Sequence, residues 1–187
     1  IIYIEKGENI MKKISIFLLC VIAIGSILTG CGSQEKDLVS ITPFPEFSEM
    51  TADGANITND VFKDYKVTIV NFWNNGCGSC IEEMPELEEL YHKFQKEEIN
   101  LIGVGTDSGE SEEQLEIAKG ILKEKKVSYQ NISPNPKNSF YKEFVSKLSS
   151  YPVTYIIDHE GNIVGAPIYG NVKKQIETVE DRIEELK

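Results

Sequence analysis

Beside Tyr129 to Ile132, a short and more polar strand candidate, three stretches of the chain are mostly apolar: Lys66 to Trp73, Asn100 to Thr106 and Val153 to Asp158. They are rich in β-branched and aromatic residues, the composition of strands covered on both faces. Between them lie segments that are apolar only every third or fourth residue, the period of a half-buried helix. These run from about Gly78 to Lys96, Ser111 to Lys126, Ser139 to Leu148 and Val172 to Leu186, the last with Ile176, Val179 and Ile183 on one face. His159-Glu160-Gly161 between Val153–Asp158 and Asn162–Pro167 is a strong hairpin signal. Ala52-Asp53-Gly54, flanked by Phe47–Met50 and Asn56-Ile57, is a second. Strands alternating with helices, then a hairpin and a helix, predict an α/β fold with a mixed central sheet flanked by helices.

The beginning of the chain follows a different pattern. Met11-Lys12-Lys13 is a short basic region, Ile14 to Leu28 is an apolar run, and Leu28-Thr29-Gly30-Cys31 ends it with small residues before a cysteine. That order is expected of a secretory signal, and the run is too short for a comfortable membrane span. The tetrapeptide resembles a bacterial lipobox, which implies lipid attachment at Cys31 after cleavage before it. An uncleaved N-terminal anchor is the alternative. Residues 1–10 precede the basic region and are read as a start-site misannotation. The expected organisation is therefore 1–10 outside the true protein, 11–30 a lipoprotein signal peptide, 31–42 the lipidated cysteine and a polar tether, and 43–187 one domain. The expected location is the extracytoplasmic face of a bacterial cell membrane.

Composition narrows the function. A chain of 187 residues with 41% hydrophobic and 26% charged residues can bury a substantial core. A net charge of −11 argues against nucleic acid as a partner. Arg182 is the only arginine, so guanidinium-based recognition of anions is nearly excluded. Of the four cysteines, Cys20 lies in the signal and Cys31 carries lipid, leaving Cys77 and Cys80 as the free thiols of the mature chain.

Those two form a C-x-x-C between the Lys66–Trp73 strand and the following helix. At a helix N-terminus, unpaired N–H groups and the helix dipole stabilise a thiolate on Cys77. The spacing lets Cys80 attack a mixed disulfide on Cys77 without rearrangement of the backbone. A zinc site would use the same half-motif, but it needs two more ligands, and the mature chain offers only His92 and His159 in addition. Neither a metal nor a cofactor is expected. Advancing about 100° per residue puts Cys80, Met84, Leu87, Leu90, Tyr91 and Phe94 on one arc. Glu83 falls within that arc, where a half-buried carboxyl would have a raised pKa and could exchange the Cys80 proton. A rim glutamate reaching solvent is the plainer alternative. Pro85, mid-helix, removes the bond to the Ile81 carbonyl and should bend the helix.

At these residues the chain resembles the TlpA/ResA-like thioredoxin-fold proteins. Asn71-Phe72-Trp73, Cys77-x-x-Cys80, Glu83 and Pro85 match one stretch of that family's pattern, and Tyr151-Pro152-Val153-Thr154-Tyr155-Ile156-Ile157-Asp158-x-x-Gly161 matches another. The resemblance covers about Phe44 to Leu186, and the distance from Cys80 to Pro152 leaves room for two strand–helix units, an enlarged central region. It implies a thioredoxin-like fold, a redox-active Cys77/Cys80 disulfide, Cys77 as nucleophile, and a cis-proline at Pro152. Tyr151, Pro152 and Trp73 would then line the substrate surface, with the Tyr151 backbone pairing with a bound peptide. Departures are Gly76 where the family usually has tryptophan, Gly78-Ser79 without the common proline, and Val153 for a threonine. Asn71 stands where ordinary thioredoxins have aspartate, which leaves Glu83 as the candidate buried acid.

The function expected is that of a membrane-anchored thiol–disulfide oxidoreductase that reduces exported proteins. Glu82, Glu83 and Glu86 oppose a thiolate and favour a reducing couple. The resemblance implies electrons from an integral-membrane thiol carrier, and clients such as apocytochrome c or an extracytoplasmic methionine sulfoxide reductase. A thiol peroxidase is a second reading, weakened because Arg182 lies in the terminal helix. A copper- or ligand-binding lipoprotein is a third, weakened by the placing of His92 and His159. Tyr65, Phe72, Trp73, Phe94 and Tyr155 also carry a plainer reading as core residues.

Overall fold

The computed structural model describes residues 42–186. The expected signal peptide and the expected lipobox at Cys31 lie outside the described residues. The strands are β1 (Thr42–Pro43), β2 (Ser48–Thr51), β3 (Asn56–Thr58), β4 (Val67–Trp73), β5 (Ile99–Gly105), β6 (Asn131–Ser133), β7 (Val153–Asp158), β8 (Asn162–Ile163) and β9 (Ile168–Tyr169). They form one mixed sheet in the order β1-β8-β7-β4-β5-β6-β2-β3, with β9 also paired to β7. β4 runs parallel to β5 and antiparallel to β7, so β4 lies at the centre. Every residue of β4 and of β5 is buried, in keeping with their largely apolar sequences, and Thr68, Asn71 and Asn100 are buried with the rest.

The helices are α1 (Gly78–Phe94), α2 (Glu112–Glu124), α3 (Ser139–Glu143) and α4 (Ile176–Glu184). Ser111 caps α2, its hydroxyl accepting the Gln114 N–H. On one face of the sheet Val67, Ile69, Leu101 and Ile156 pack with Leu87 and Phe94 of α1 and Val179 and Ile183 of α4. On the other, Val70, Phe72, Val104 and Ile157 pack with Phe140 of α3 and with Phe44, Phe47 and Phe62 from the N-terminal segment. The mixed sheet flanked by helices and the N-terminal hairpin expected from the sequence are both present.

Five features differ from expectation. The helix expected to span Ser139 to Leu148 breaks at Phe144 (φ −128°, ψ −64°) and resumes as a 3-10 turn, Val145–Lys147. The break turns the Phe144 ring against Phe44, Phe72 and Tyr155. The strand expected from Asn162 to Pro167 stops at Ile163, because Gly165 takes φ +72° and redirects the chain. Ile168–Tyr169 then returns to β7 as an unforeseen strand. The last helix opens as a 3-10 turn, Val172–Gln175, whose first N–H donates to the Glu83 side chain of α1. β1 also begins at Thr42, the last residue of the expected tether.

Candidate redox site

β4 delivers the chain to Asn74-Asn75-Gly76, and α1 starts immediately afterwards with Cys77 as its N-cap. The turn is held locally: Gly76 N–H donates to Asn74 Oδ1 and Cys77 N–H to the Asn74 carbonyl, both at 3.1 Å. Cys77 Sγ accepts the Cys80 N–H at 3.3 Å, and the Ser79 hydroxyl lies 3.5 Å from the same sulfur. An N-cap normally offers oxygen to these unpaired donors; here the acceptor is sulfur. The same N–H would stabilise a thiolate on Cys77 once the pair is reduced.

Cys77 and Cys80 are joined as a disulfide, with Cα atoms 5.3 Å apart. Their environments differ sharply. Cys77 is half-buried, whereas Cys80 is 1% exposed and packs in a small cluster with Trp73, Met84 and Ala118. An incoming disulfide can reach the first sulfur and not the second. That asymmetry suits Cys77 to attack and Cys80 to resolve. Tyr151 packs against the same cluster, and the Tyr151–Pro152 peptide is cis. The buried Pro152 presents its carbonyl to the Gly170 N–H at 2.9 Å, tying this loop to β9.

Trp73 needs correction as a substrate-binding residue. It is 1% exposed, and its indole N–H donates to Asn131 Oδ1 at 2.9 Å. As the last residue of a strand buried on both faces, it points into the core and offers no surface to a substrate.

Glu83 is likewise 1% exposed, which removes the alternative of a rim glutamate reaching solvent. One carboxylate oxygen accepts Asn71 Nδ2 at 3.1 Å and the other the Val172 N–H at 3.0 Å. Asn71 Nδ2 also donates to Thr154 Oγ1 at 3.0 Å. Burial pushes the carboxyl up to about 7, against the opposing pull of the Val172 and Asn71 donors. A group poised there, one helical turn beyond Cys80, is suited to hold and return a proton near neutral pH. Thr154 and Val172 were not singled out in the sequence. Thr154 carries a signal nonetheless, being a polar residue in an apolar strand and the register partner of Asn71.

The other acids near the pair are less uniform than their sequence suggests. Glu82 is exposed, and Glu86 accepts Lys173 Nζ at 3.1 Å. Arg182 is buried at the Gly165–Ala166 turn, with Nη1 donating to the Ala166 carbonyl at 2.6 Å. His92 lies on the exposed side of α1 beside Glu88, and His159 in the β7–β8 turn. Phe72, Phe94 and Tyr155 are core residues.

Fold and site together define a thioredoxin-fold thiol–disulfide oxidoreductase. The chain belongs to the AhpC/TSA family, whose model matches residues 42–166. A relative named thiol-disulfide oxidoreductase ResA from Bacillus cereus is 26% identical over 175 residues, covering 92% of this chain and 95% of its own. The thioredoxin-like protein YneN of Bacillus subtilis is 30% identical over 141 residues, 71% of this chain and 74% of its own. A solved thiol:disulfide interchange protein from a Bacteroides species superposes with a TM-score of 0.62 at 24% identity, covering 79% of this chain and 92% of that one.

Proposed function

We propose that this protein is a lipid-anchored, extracytoplasmic reductase of disulfides in exported proteins. The observation that carries the reading is the placement of Cys77: half-exposed, at the N-terminus of α1, with its sulfur on the Cys80 N–H and its partner thiol buried behind it. In the reduced form, the Cys77 thiolate attacks one sulfur of a client disulfide and releases the other as a thiolate. Cys80, its proton passed to Glu83, then attacks Cys77 Sγ. The Cys77–Cys80 bond forms, the bond to the client breaks, and the client leaves with two electrons. Two protons complete its thiols.

The anchor rests on Leu28-Thr29-Gly30-Cys31 behind a basic and apolar leader. Anchoring would place the dithiol near an integral-membrane thiol carrier able to reduce it again. Oxidised apocytochrome c and an extracytoplasmic methionine sulfoxide reductase are clients of suitable chemistry. Two measurements test the reading. Fatty-acid labelling in cells should mark the protein and vanish with Cys31→Ser. Thiol trapping of the Cys77/Cys80 pair in dithiothreitol and glutathione buffers should give a potential near about −270 mV, where a reductase works. A value near about −120 mV would reverse the direction of electron flow.

A further inference from the structure

The turn that presents Cys77 is gripped from outside its own strand and helix. Immediately beyond β5, Thr106 donates both its N–H (2.8 Å) and its hydroxyl (3.0 Å) to the Trp73 carbonyl. Both oxygens of Asp107 accept the Asn75 N–H, at 3.1 and 3.0 Å. Asn75 Nδ2 donates onward to the backbone carbonyl of Gln114 in the first turn of α2, at 3.0 Å, and to its Oε1 at 2.8 Å. The gripping loop is itself seated. Ser108 Oγ donates to the Gly105 carbonyl at 2.6 Å and lies 2.9 Å from Ser133 Oγ. A Cβ at Gly109 would fall 2.1 Å from the Pro134 carbonyl oxygen, so no other residue allows so close an approach.

The consequence reaches the thiol through a short chain of bonds. Asn75 sits between Asn74, which accepts the Gly76 and Cys77 N–H groups, and the N-cap sulfur on the Cys80 N–H. Where Asp107 holds Asn75 decides how Cys77 Sγ meets α1. We propose that Asp107 is a positioning residue of the redox centre, keeping the Cys77 thiolate on the Cys80 amide and so setting its reactivity. This deepens the proposed function and rests on it. The charge of Asp107 alone would act oppositely, because a nearby carboxylate disfavours a thiolate. The two roles are therefore separable by sign.

The test uses the reduced full-length protein. Iodoacetamide alkylation of Cys77 is followed across the neutral pH range by peptide-resolved mass spectrometry, with thermal melting measured alongside. Asp107→Ala should slow alkylation at neutral pH about tenfold by raising the Cys77 midpoint about one unit. Asp107→Asn, whose side-chain oxygen still accepts the Asn75 N–H, should restore the rate to within about threefold of the parent. Asn75→Ala keeps that backbone bond but releases α2, and should slow alkylation about threefold. If Asp107→Ala does not fold, the other two variants decide. Parental rates in Asp107→Ala or Asn75→Ala would overturn the proposal. So would Asp107→Asn reacting as slowly as Asp107→Ala or, where Asp107→Ala does not fold, more than about tenfold slower than the parent. Reduction of a small disulfide by the parent is measured in parallel. Its absence sinks the proposed function, whereas an active parent with indistinguishable variants sinks only the role of Asp107.

Discussion

The two faces of the central sheet solve different problems with the same strands. On the face covered by α3 and the N-terminal segment, Phe44 lies among Phe47, Phe62, Phe72, Phe140, Phe144 and Tyr155, with ring centroids 5.5–6.4 Å from its own. That face is held by apolar burial and ring geometry. On the face covered by α1 and α4, aliphatic packing encloses Asn71, Thr154 and Glu83, all within 2% of full burial. A desolvated carboxyl there costs stability whenever it must ionise. In the proposed function it also serves as the proton site for Cys80. One face is apolar throughout, and the other carries the buried polar groups on which that proposal rests.

The sharpest way to break this comparison is to remove the nucleophile. Cys77→Ser should abolish disulfide reduction while leaving the far-UV spectrum of the fold intact; surviving turnover would mean that Cys80 is reachable and the asymmetry of the pair is wrong. Next comes the aromatic face. Phe62→Ala should lower stability by about 3–5 kcal/mol in denaturant melts, yet leave the pH profile of Cys77 alkylation unmoved. A shift in that profile would show that the two faces are not separate in function.

Glu83→Gln should act in the opposite manner. Ionising Glu83 in the native state requires a pH near about 7, against 4.5 when unfolded. The native state therefore binds the extra proton between those values, and wild-type stability falls as pH rises through that window, by up to about 3 kcal/mol. Glu83→Gln should be flat over the same range and more stable than wild type above it. Its amide fits if Asn71 turns over and Thr154 donates its hydroxyl. Decay of the mixed disulfide, read by rapid quench, should slow about a hundredfold. Equal pH-dependence in both proteins would remove Glu83 as the titrating group. The smallest effect is expected from Asn71→Ala, which takes one donor from the carboxylate. It should move the stability transition upward by about one pH unit or less; a downward movement would contradict the bonding seen here.

Much of this was legible beforehand, for local reasons. β4 and β5 announce themselves through largely apolar runs, and the spacing of Cys80, Met84, Leu87 and Phe94 puts them on one buried arc of α1. Glu83 was identifiable from that same arc. Other features depend on residues distant in the chain. Phe144 leaves a helical pattern because rings from three other segments receive it. Trp73 matches a substrate-surface motif but is claimed by Asn131 on β6. Asp107 and Asn75 look like ordinary loop residues until the parallel pairing of β4 with β5 sets their loops side by side.

The sequence by itself determined the central strands, the two long helices and the candidate reactive pair, because periodicity and a C-x-x-C at a strand–helix junction are local signals. Tertiary structure alone decided which sulfur is accessible, that Glu83 is sealed from water, and that Thr154 meets Asn71, Val172 meets Glu83 and Asp107 meets Asn75. Accessibility, desolvation and hydrogen-bond partners arise from segments brought together across the sheet, and no window of sequence contains both sides of such a contact.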